Sequence, residues 1–579
     1  MCIDSDFYVR GTMTKYIFVS GGVISGVGKG VATASLGKIL KEFGYKTTLV
    51  KIDPYINYDA GTLRPTEHGE VWVTDDGGEI DQDLGTYERF LDSDIPKKNN
   101  MTTGQVYKTV IDRERSGGYL GKTVQFIPHI PEEIIRRIKL AAQDFEVVII
   151  EIGGTVGDYE NIPFLFAAKQ LERDLGAENV AHILVTYLPI PPHIGEMKTK
   201  PTQQAIKQMR HEGIFPDFIL CRAETPLDET RKKKIDANVH ISSDNIISAP
   251  DIETVYEIPL NLEKEKLGEK VLERLNLKKK KESDWSKWAE LVATIKSPVK
   301  KVKIAVVGKY VKLGDYSIPD SYLSIKEALI HAASEFGAGV DIHWLNSEDF
   351  SDGQKKLESL HEFDGIIVPG GFGDYGVEGK IAVIRYAREN NIPYLGLCYG
   401  MQLAIVEFAR HMCGMHGAHT TEINKETKYP VIDLLPEQKT VMEKGEYGGT
   451  MRLGAYPAIM KEGTKVFDLY EKTSRLSQDA QRFEKLVKKE LFKPEKGKKV
   501  VLERHRHRYE MNPAFIEPLQ EKGLVFAGYY TREDGTNLME FIELPEHPFF
   551  IATQAHPEFK SRLTNPSPLF YGFIKACLK

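Results

Sequence analysis

The sequence is short of cysteine. Five cysteines in 579 residues, at positions 2, 221, 398, 413 and 577, show no paired spacing. That excludes a disulfide framework and a cysteine-built zinc site. It points to a reducing compartment, and the expected location is cytoplasmic. An excess of one charge is missing too: 77 Lys and Arg against 83 Asp and Glu leave a formal net charge of -6. Such a balance makes no polyanion-binding surface, so nucleic acid is not an expected partner and any phosphate binding has to be local. No apolar run is long enough to cross a membrane. Residues 1–14 are polar and lack the apolar core of a signal peptide, so neither a membrane nor secretion is expected. Internal repeats and long low-complexity segments are also absent.

What is present is an ordinary globular composition, 41% hydrophobic and 28% charged, over a length that calls for more than one domain. Residues 16–43 organise the first half. Tyr16-Ile17-Phe18-Val19-Ser20 reads as a buried strand. A glycine-rich turn follows, from Gly21 and Gly22 through Ser25, Gly26, Val27 and Gly28 to Lys29, Gly30 and Val31. Ala34, Leu36, Ile39, Leu40 and Phe43 then recur at helical spacing. Strand, glycine loop with lysine, and helix is the geometry that cradles nucleotide phosphates, because glycines let backbone N–H groups converge at a positive helix N-terminus. Lys29 would reach the outer phosphates. The loop departs from the usual pattern: five residues separate Gly22 from Gly28, and Gly30 stands where a Ser or Thr would bind Mg²⁺. A glycine turn without a ligand is the alternative.

A second strand, 47–53, ends in Lys51 and Asp53, where a parallel sheet faces its ligand crevice. Residues 54–89 are polar and acidic and include Asp83. A run like that is ordinarily a solvated loop, yet a loop without its hydroxyl needs hard oxygen ligands from elsewhere. Glu151 closes an apolar strand at 145–150 and reads as a metal carboxylate, with a rim carboxylate as the alternative. Further strands at 181–187, 217–221 and 246–248 imply a mostly parallel sheet with helices on both faces. Lys198-Thr199-Lys200-Pro201-Thr202-Gln203 suits a second phosphate chain. Lys234 lies in a basic run further on, and surface lysines are the alternative reading. Residues 275–303 read as a linker: the lysines 278–281 as a solvated turn, and Trp285, Trp288, Leu291 and Ile295 as one face of a docked helix.

A new α/β pattern starts at 303, with strands expected at 340–344, 365–369 and 394–397. Gly396-Leu397-Cys398-Tyr399-Gly400 between strand and helix is a nucleophile elbow carrying cysteine, whose glycines permit a strained turn. The helix N-terminus lowers the thiol pKa. Gly370 and Gly371 can present N–H groups to an oxyanion. In Thr553-Gln554-Ala555-His556-Pro557-Glu558, His556 is the base for Cys398 and Glu558 orients its ring. The other four cysteines are read as structural. The run 503–509 is too dense in charge for a helix face, and at least one of its arginines is expected to bind a carboxylate.

These strings resemble known families. Pro-Gly-Gly-Phe-Gly, Gly-x-Cys-x-Gly-Met-Gln and His-Pro-Glu-Phe resemble the class I glutamine amidotransferases. Ser-Gly-Gly-Val-Ile-Ser-Gly-Val-Gly-Lys-Gly, Lys-Ile-Asp-Pro-Tyr-Ile-Asn, Glu-Ile-Gly-Gly-Thr-Val-Gly-Asp and Lys-Thr-Lys-Pro-Thr-Gln look like the synthetase domain of the CTP synthase family. The resemblance runs from about residue 16 to the last helix. It implies an α/β chain: an extension 1–14, a P-loop-type, mostly parallel synthetase domain 15–277, a linker 278–300, and an α/β amidotransferase domain 301–579.

The implied reaction makes CTP from UTP, ATP and glutamine. O4 of uracil is phosphorylated and the phosphate is displaced by ammonia. Lys29 and Lys51 would serve phosphoryl transfer, and Asp83 and Glu151 would hold Mg²⁺. ATP would meet Gly26, Val27, Gly28, Lys29, Gly30, Val31 and Asp83, with Pro250, Asp251 and Ile252. UTP would use Ser25, Lys198, Thr199, Lys200, Pro201, Thr202, Gln203 and Lys234. CTP, as feedback inhibitor, would share that triphosphate site with its base near Asp158, Tyr159 and Glu160. Glutamine would sit against Gly371, Tyr399, Gly400, Met401, Gln402, Glu422 and Arg508. The family implies GTP activation, and Gly448-Gly449-Thr450-Met451-Arg452-Leu453-Gly454 resembles part of the mobile region involved, with no GTP ligand assigned. A homotetramer is the implied assembly, and a filament is possible. Three features depart from the pattern: residues 1–14, Ala555 where many members carry an aromatic residue, and Asn238 where many relatives carry an aromatic residue near the inhibitor's base. Two other readings compete. The Lys198 to Gln203 string argues against a different glutaminase-fused amidoligase. Intact Cys398, His556 and Glu558 argue against a nucleotide-switch ATPase with a decayed glutaminase.

Overall fold

The structure is a computed structural model that describes residues 8–9, 12–64, 68–309, 312–313, 316–317, 319–351, 355–434, 450–493, 495 and 497–579. The chain forms two compact units, Met1–Ala60 with Gln82–Val292, and Gly61–Asp81 with Ala293–Lys579.

The first unit holds a seven-stranded parallel sheet. Its order is Ile246–Pro250, Phe218–Ala223, Val180–Tyr187, Lys15–Gly21, Val147–Ile152, Thr47–Asp53, Asn100–Thr102. Lys15–Gly21 and Val147–Ile152 are buried along their whole length, as central strands covered on both faces must be. Helix Lys29–Glu42 packs Ala34, Leu36, Ile39 and Leu40 inward. Because the strands are parallel, Gly21, Asp53 and Ile152 end on the same edge of the sheet, and the loops that follow them meet there.

Residues 71–89 are not a solvated loop. Their last part opens the helix Asp83–Leu91, which buries Leu84, Tyr87 and Phe90. The part before that helix, Gly61–Asp81, belongs to the second unit. Val71, Trp72 and Val73 of that part are buried and pair with Glu79–Asp81 in a hairpin. The lysine run 278–281 is not a free turn either. Tyr45 donates to the Lys278 carbonyl at 2.6 Å, Lys280 N donates to the Phe43 carbonyl at 3.0 Å, and Lys279 lies over the Phe43 ring and pairs with Glu269 at 2.7 Å. Trp288 is buried between Phe90 and Tyr256 and donates to the Tyr256 carbonyl at 2.7 Å.

The second unit is built on a mixed nine-stranded sheet. Ala338–Asn346, Lys300–Gly308, Gly365–Val368, Tyr394–Leu397 and Phe550–Thr553 are parallel. Asn537–Glu543, Val525–Thr531, Arg452–Met460 and Val500–His507 extend it antiparallel. The hairpin Val71–Val73/Glu79–Asp81 belongs to this unit. Among the described residues no helix is long and apolar enough to cross a membrane.

Candidate active sites

In the first unit the chain leaves Lys15–Gly21 through a loop in which Gly26 and Gly28 take φ of 71° and 90°. Gly28 opens the helix Lys29–Glu42 from the left-handed region that glycine adopts at low cost. Gly30 explains the missing hydroxyl. A Cβ there would stand 2.7 Å from Asp83 Oδ1 and 3.6 Å from Glu151 Oε2, so the Asp83 carboxylate fills the space of a side chain. Lys51 Nζ donates to Asp83 Oδ2 and, at 3.0 Å, to Glu151 Oε1, and lies 3.7 Å from Asp53 Oδ1. Tyr87 donates to Glu151 Oε2. Burial pulls the Lys51 ammonium pKa down, but Asp83, Glu151 and Asp53 outweigh it and hold it well above the usual lysine value. Burial also lowers Lys29, which donates to the Gly154 carbonyl at 2.8 Å. Asp83 and Glu151 thus meet at one shared cation beside a glycine kept bare, a hard-oxygen donor set that suits Mg²⁺.

A cavity of about 390 Å³ beside the helix start is lined by Gly28, Val31, Pro250, Asp251 and Ile252, five of the expected ATP contacts. Arg222 also lines it; the sequence reading missed this residue, although it closes a parallel strand. Arg222 pairs with Asp251 at 2.6 Å and donates to the Val27 carbonyl at 3.3 Å. Ser25 is exposed. Lys198 pairs with Glu196 at 2.7 Å. Glu196 is lowered by Lys198 first and then by Lys234 and Arg231, so these cations share one neighbourhood. Lys200 and Lys234 are exposed, while Thr199 and Gln203 are buried and bonded to each other at 3.3 Å. Thr202 is fully buried and bonded to Thr186 at 3.0 Å, and it follows Pro201 in the first turn of the helix Lys200–His211. Asp158, Tyr159 and Glu160 border a separate hollow with Pro54 and Tyr55.

In the second unit Cys398 stands between Tyr394–Leu397 and helix Tyr399–His411 with φ 50° and ψ -100°. The strained residue is the cysteine itself. The flanking glycines answer a different need: a Cβ on Gly400 would lie 2.1 Å from the Val368 carbonyl oxygen, and one on Gly396 would lie 2.8 Å from the Ala552 Cβ. His556 Nδ1 and Glu558 Oε1 are 2.7 Å apart. Burial lowers the His556 pKa, and the Glu558 carboxylate and the neighbouring Cys398 more than reverse that, raising it to about 10. A Cβ on Gly370 would meet His556 Cε1 at 3.0 Å and Cys398 Cβ at 3.7 Å, so this glycine lies against both. Gln554 Nε2 approaches Cys398 Sγ at 3.7 Å. A cavity of about 240 Å³ is lined by Cys398, His556, Glu558, Gly370, Gly371 and Arg506, among others.

Glu422 accepts from Gly373 N at 2.7 Å and Tyr399 donates to the Gly373 carbonyl at 3.2 Å, which gathers the expected glutamine residues around the glycine turn. Gln402 is buried, donating to the Tyr509 carbonyl at 3.0 Å and to Gln554 at 3.2 Å. Met401 lies in the hydrophobic core, and its backbone N–H donates to the Cys398 carbonyl at 3.1 Å. Arg508 is half-buried. Two of the arginines of 503–509 bind carboxylates: Arg504 pairs with Asp75 at 2.5 Å and Arg506 with Glu79 at 2.8 Å. Of the string compared with a mobile region, Gly448 and Gly449 lie outside the described residues. Arg452 is bonded to Glu540 at 2.7 Å and Glu510 at 3.3 Å.

A cysteine elbow backed by a His–Glu pair, on a sheet of this order, defines a class I glutamine amidotransferase unit, carried in one chain with a phosphate-loop unit. Comparison with known proteins agrees. A family model described as CTP synthase N-terminus matches residues 15–277, and one described as glutamine amidotransferase class-I matches 317–576. CTP synthase of Pyrococcus furiosus is 53% identical over 97% of this chain and 98% of its own length. That of Methanocaldococcus jannaschii is 50% identical over 97% and 98%. The solved Trypanosoma brucei CTPS glutaminase domain with bound acivicin is 33% identical over 48% of this chain and 94% of that chain, with a TM-score of 0.39. The chain belongs to the CTP synthase family.

Proposed function

We propose that this chain, a ligase with glutamine as its amide donor, converts UTP to CTP with consumption of ATP. The observation that carries this is the presence in one family member of two complete chemical sets, Lys29, Lys51, Asp83 and Glu151 in one unit and Cys398, His556 and Glu558 in the other. The Cys398 sulfur attacks the side-chain amide carbon of glutamine, with its proton held on His556 and the ring oriented by Glu558. The oxyanion is met by backbone N–H groups at Gly370 and Gly371. His556 returns the proton to the leaving ammonia, and water releases glutamate from the thioester.

In the first unit Lys29 and Lys51 neutralise the γ-phosphoryl group of ATP as it passes to O4 of UTP, and ammonia then displaces that phosphate at C4. Asp83 and Glu151 would hold Mg²⁺, which supplies charge neutralisation on the phosphate oxygens. ATP takes the cavity at Gly28, Val31 and Pro250 to Ile252. UTP takes Ser25, the Lys198 to Gln203 segment and Lys234. CTP shares that triphosphate site as feedback inhibitor, and GTP activates. Domain limits of 15–277 and 301–579, a homotetramer and a cytoplasmic location complete the reading.

The test is direct: purified chain with UTP, ATP, Mg²⁺ and glutamine, followed by separation of nucleotides. CTP and glutamate should accumulate together, and omission of ATP or UTP should stop CTP. ATP hydrolysis without CTP, from glutamine or from ammonia, would exclude the proposal.

A further inference from the structure

Lys380 is fully buried in the first turn of helix Val377–Glu389. Its Nζ has no hydrogen-bond partner among the described residues. A buried amine without a partner costs the fold free energy, so its retention calls for a reason other than stability. Its surroundings supply one. The Nζ lies 3.7 Å from where a Cβ of Gly371 would stand, and the Lys309 Cδ lies at the same distance from the same point. Gly371 is thus bordered by two lysine side chains. Both lysines also sit over the ring of Tyr399, Lys309 at 5.1 Å and Lys380 at 5.4 Å from its centroid.

The two lysines have different work. Lys309 Nζ donates to the carbonyls of Phe372, at 2.5 Å, and Gly373, and so holds the glycine turn from its acceptor side. Lys380 makes no such bond and stands beside Gly371 itself. The groups that act on it are Lys309, which opposes its charge, and Cys398, which favours it; burial is the largest effect and holds its pKa well below the usual lysine value.

We propose that Lys380 is a positioning residue of glutamine hydrolysis, whose sealed amine backs the Gly371 amide and sets the potential at the oxyanion of the Cys398 adduct. Preorganised dipoles and charges in a site closed to water act on the transition state more than on bound substrate. Removal of the amine should therefore lower kcat and leave KM for glutamine nearly unchanged.

The inference rests on the reading of Cys398 as the glutaminase nucleophile. If the unaltered chain hydrolyses no glutamine, that reading fails and not this one. With an active chain, Lys380→Met keeps the side-chain length and deletes the amine. Since the loss of one oxyanion donor costs about 100-fold to 1,000-fold in kcat, a backing residue should cost less, about 10-fold to 100-fold. The affinity of a γ-aldehyde analogue of glutamine, which adds to Cys398 as a tetrahedral thiohemiacetal, should fall in parallel. Alkylation of Cys398 by iodoacetamide should proceed at the original rate, and the unfolding temperature should hold or rise, because an unpartnered amine has left the core. A purely structural lysine would give the reverse, a lower unfolding temperature with kcat retained. Unchanged kcat in the folded variant, or a rise in KM alone, would overturn the proposal.

Discussion

At Gly30 a single methyl group is already too much, because its place is held by the Asp83 carboxylate. Gly30→Ser would supply the hydroxyl that other phosphate loops carry, yet it should lower ATP-dependent CTP formation by about 100-fold, the scale of a misplacement near 1 Å in a reacting set. Asp83→Asn should be as damaging and should leave glutamine hydrolysis measurable; a Gly30→Ser enzyme with normal turnover would contradict the packing. At His556 the raised pKa sets a pH window. Its value of about 10 lies above the 6.5 of an ordinary histidine. The stabilisation from its pairing is therefore complete below about pH 6.5 and is lost as pH rises toward 10. Glu558→Gln removes the larger of the two charges that lift it. The gap in unfolding temperature between the original chain and this variant should be widest near neutral pH and below, and should narrow toward pH 10. A gap constant across that range would count against the pairing. At Lys198, the shared-pocket reading predicts that Lys198→Ala raises KM for UTP and the CTP inhibition constant together, by about 10-fold or more for one lost charge contact. A change in inhibition alone would separate the two sites.

Two elements carry the glutaminase geometry. The elbow packs so closely that Gly400 can gain no side chain: its Cβ would press on the Val368 carbonyl. The hairpin Val71–Val73/Glu79–Asp81 is less obvious. Trp72 is buried and packs on Phe559 with ring centroids 5.0 Å apart, and Phe559 stacks on His556 at 5.2 Å. A residue from the first sixth of the sequence therefore backs the ring of His556, the proposed base. Trp72→Ala should cost about 3–5 kcal/mol of stability in this unit. It should also lower kcat for glutamine hydrolysis, a readout that a remote cavity would leave alone; thermal unfolding and glutamate release measure the two effects separately.

For the whole molecule, the reading is two reactions joined only by ammonia. Cys398→Ala should reduce glutamine-dependent CTP formation by about 10⁴-fold or more, as loss of a nucleophile does. Supplied with ammonium salt near pH 8 or above, the same variant should still aminate UTP, since none of Lys29, Lys51, Asp83 or Glu151 depends on the thiol. Retained glutamine use would dismiss Cys398 as nucleophile, and lost ammonia use in a folded variant would dismiss the division of labour.

The sequence by itself was enough for whatever is local. Strand, glycine loop and helix at 16–43, the elbow at 396–400 and His-x-Glu at 556–558 each lie within a few residues, where glycine conformation, hydrophobic period and side-chain chemistry leave few alternatives. They sufficed for the α/β class and for the family. Only the tertiary structure decided what depends on distant neighbours. That Gly30 is bare because Asp83 fills it, that Arg222 lines the cavity at Gly28 and Asp251, that residues 61–81 pack with the second unit, and that Gln554 approaches Cys398 are contacts between residues tens to hundreds of positions apart. The antiparallel half of the second sheet escaped the sequence reading for a related reason. Val500–His507 carries Glu503, Arg504, His505, Arg506 and His507, a polar run that hides its strand period until Asp75 and Glu79 are seen to pair with the two arginines and burial is seen to hold both histidines well below their usual pKa. Burial of charge is set by the partner and not by the strand that bears it.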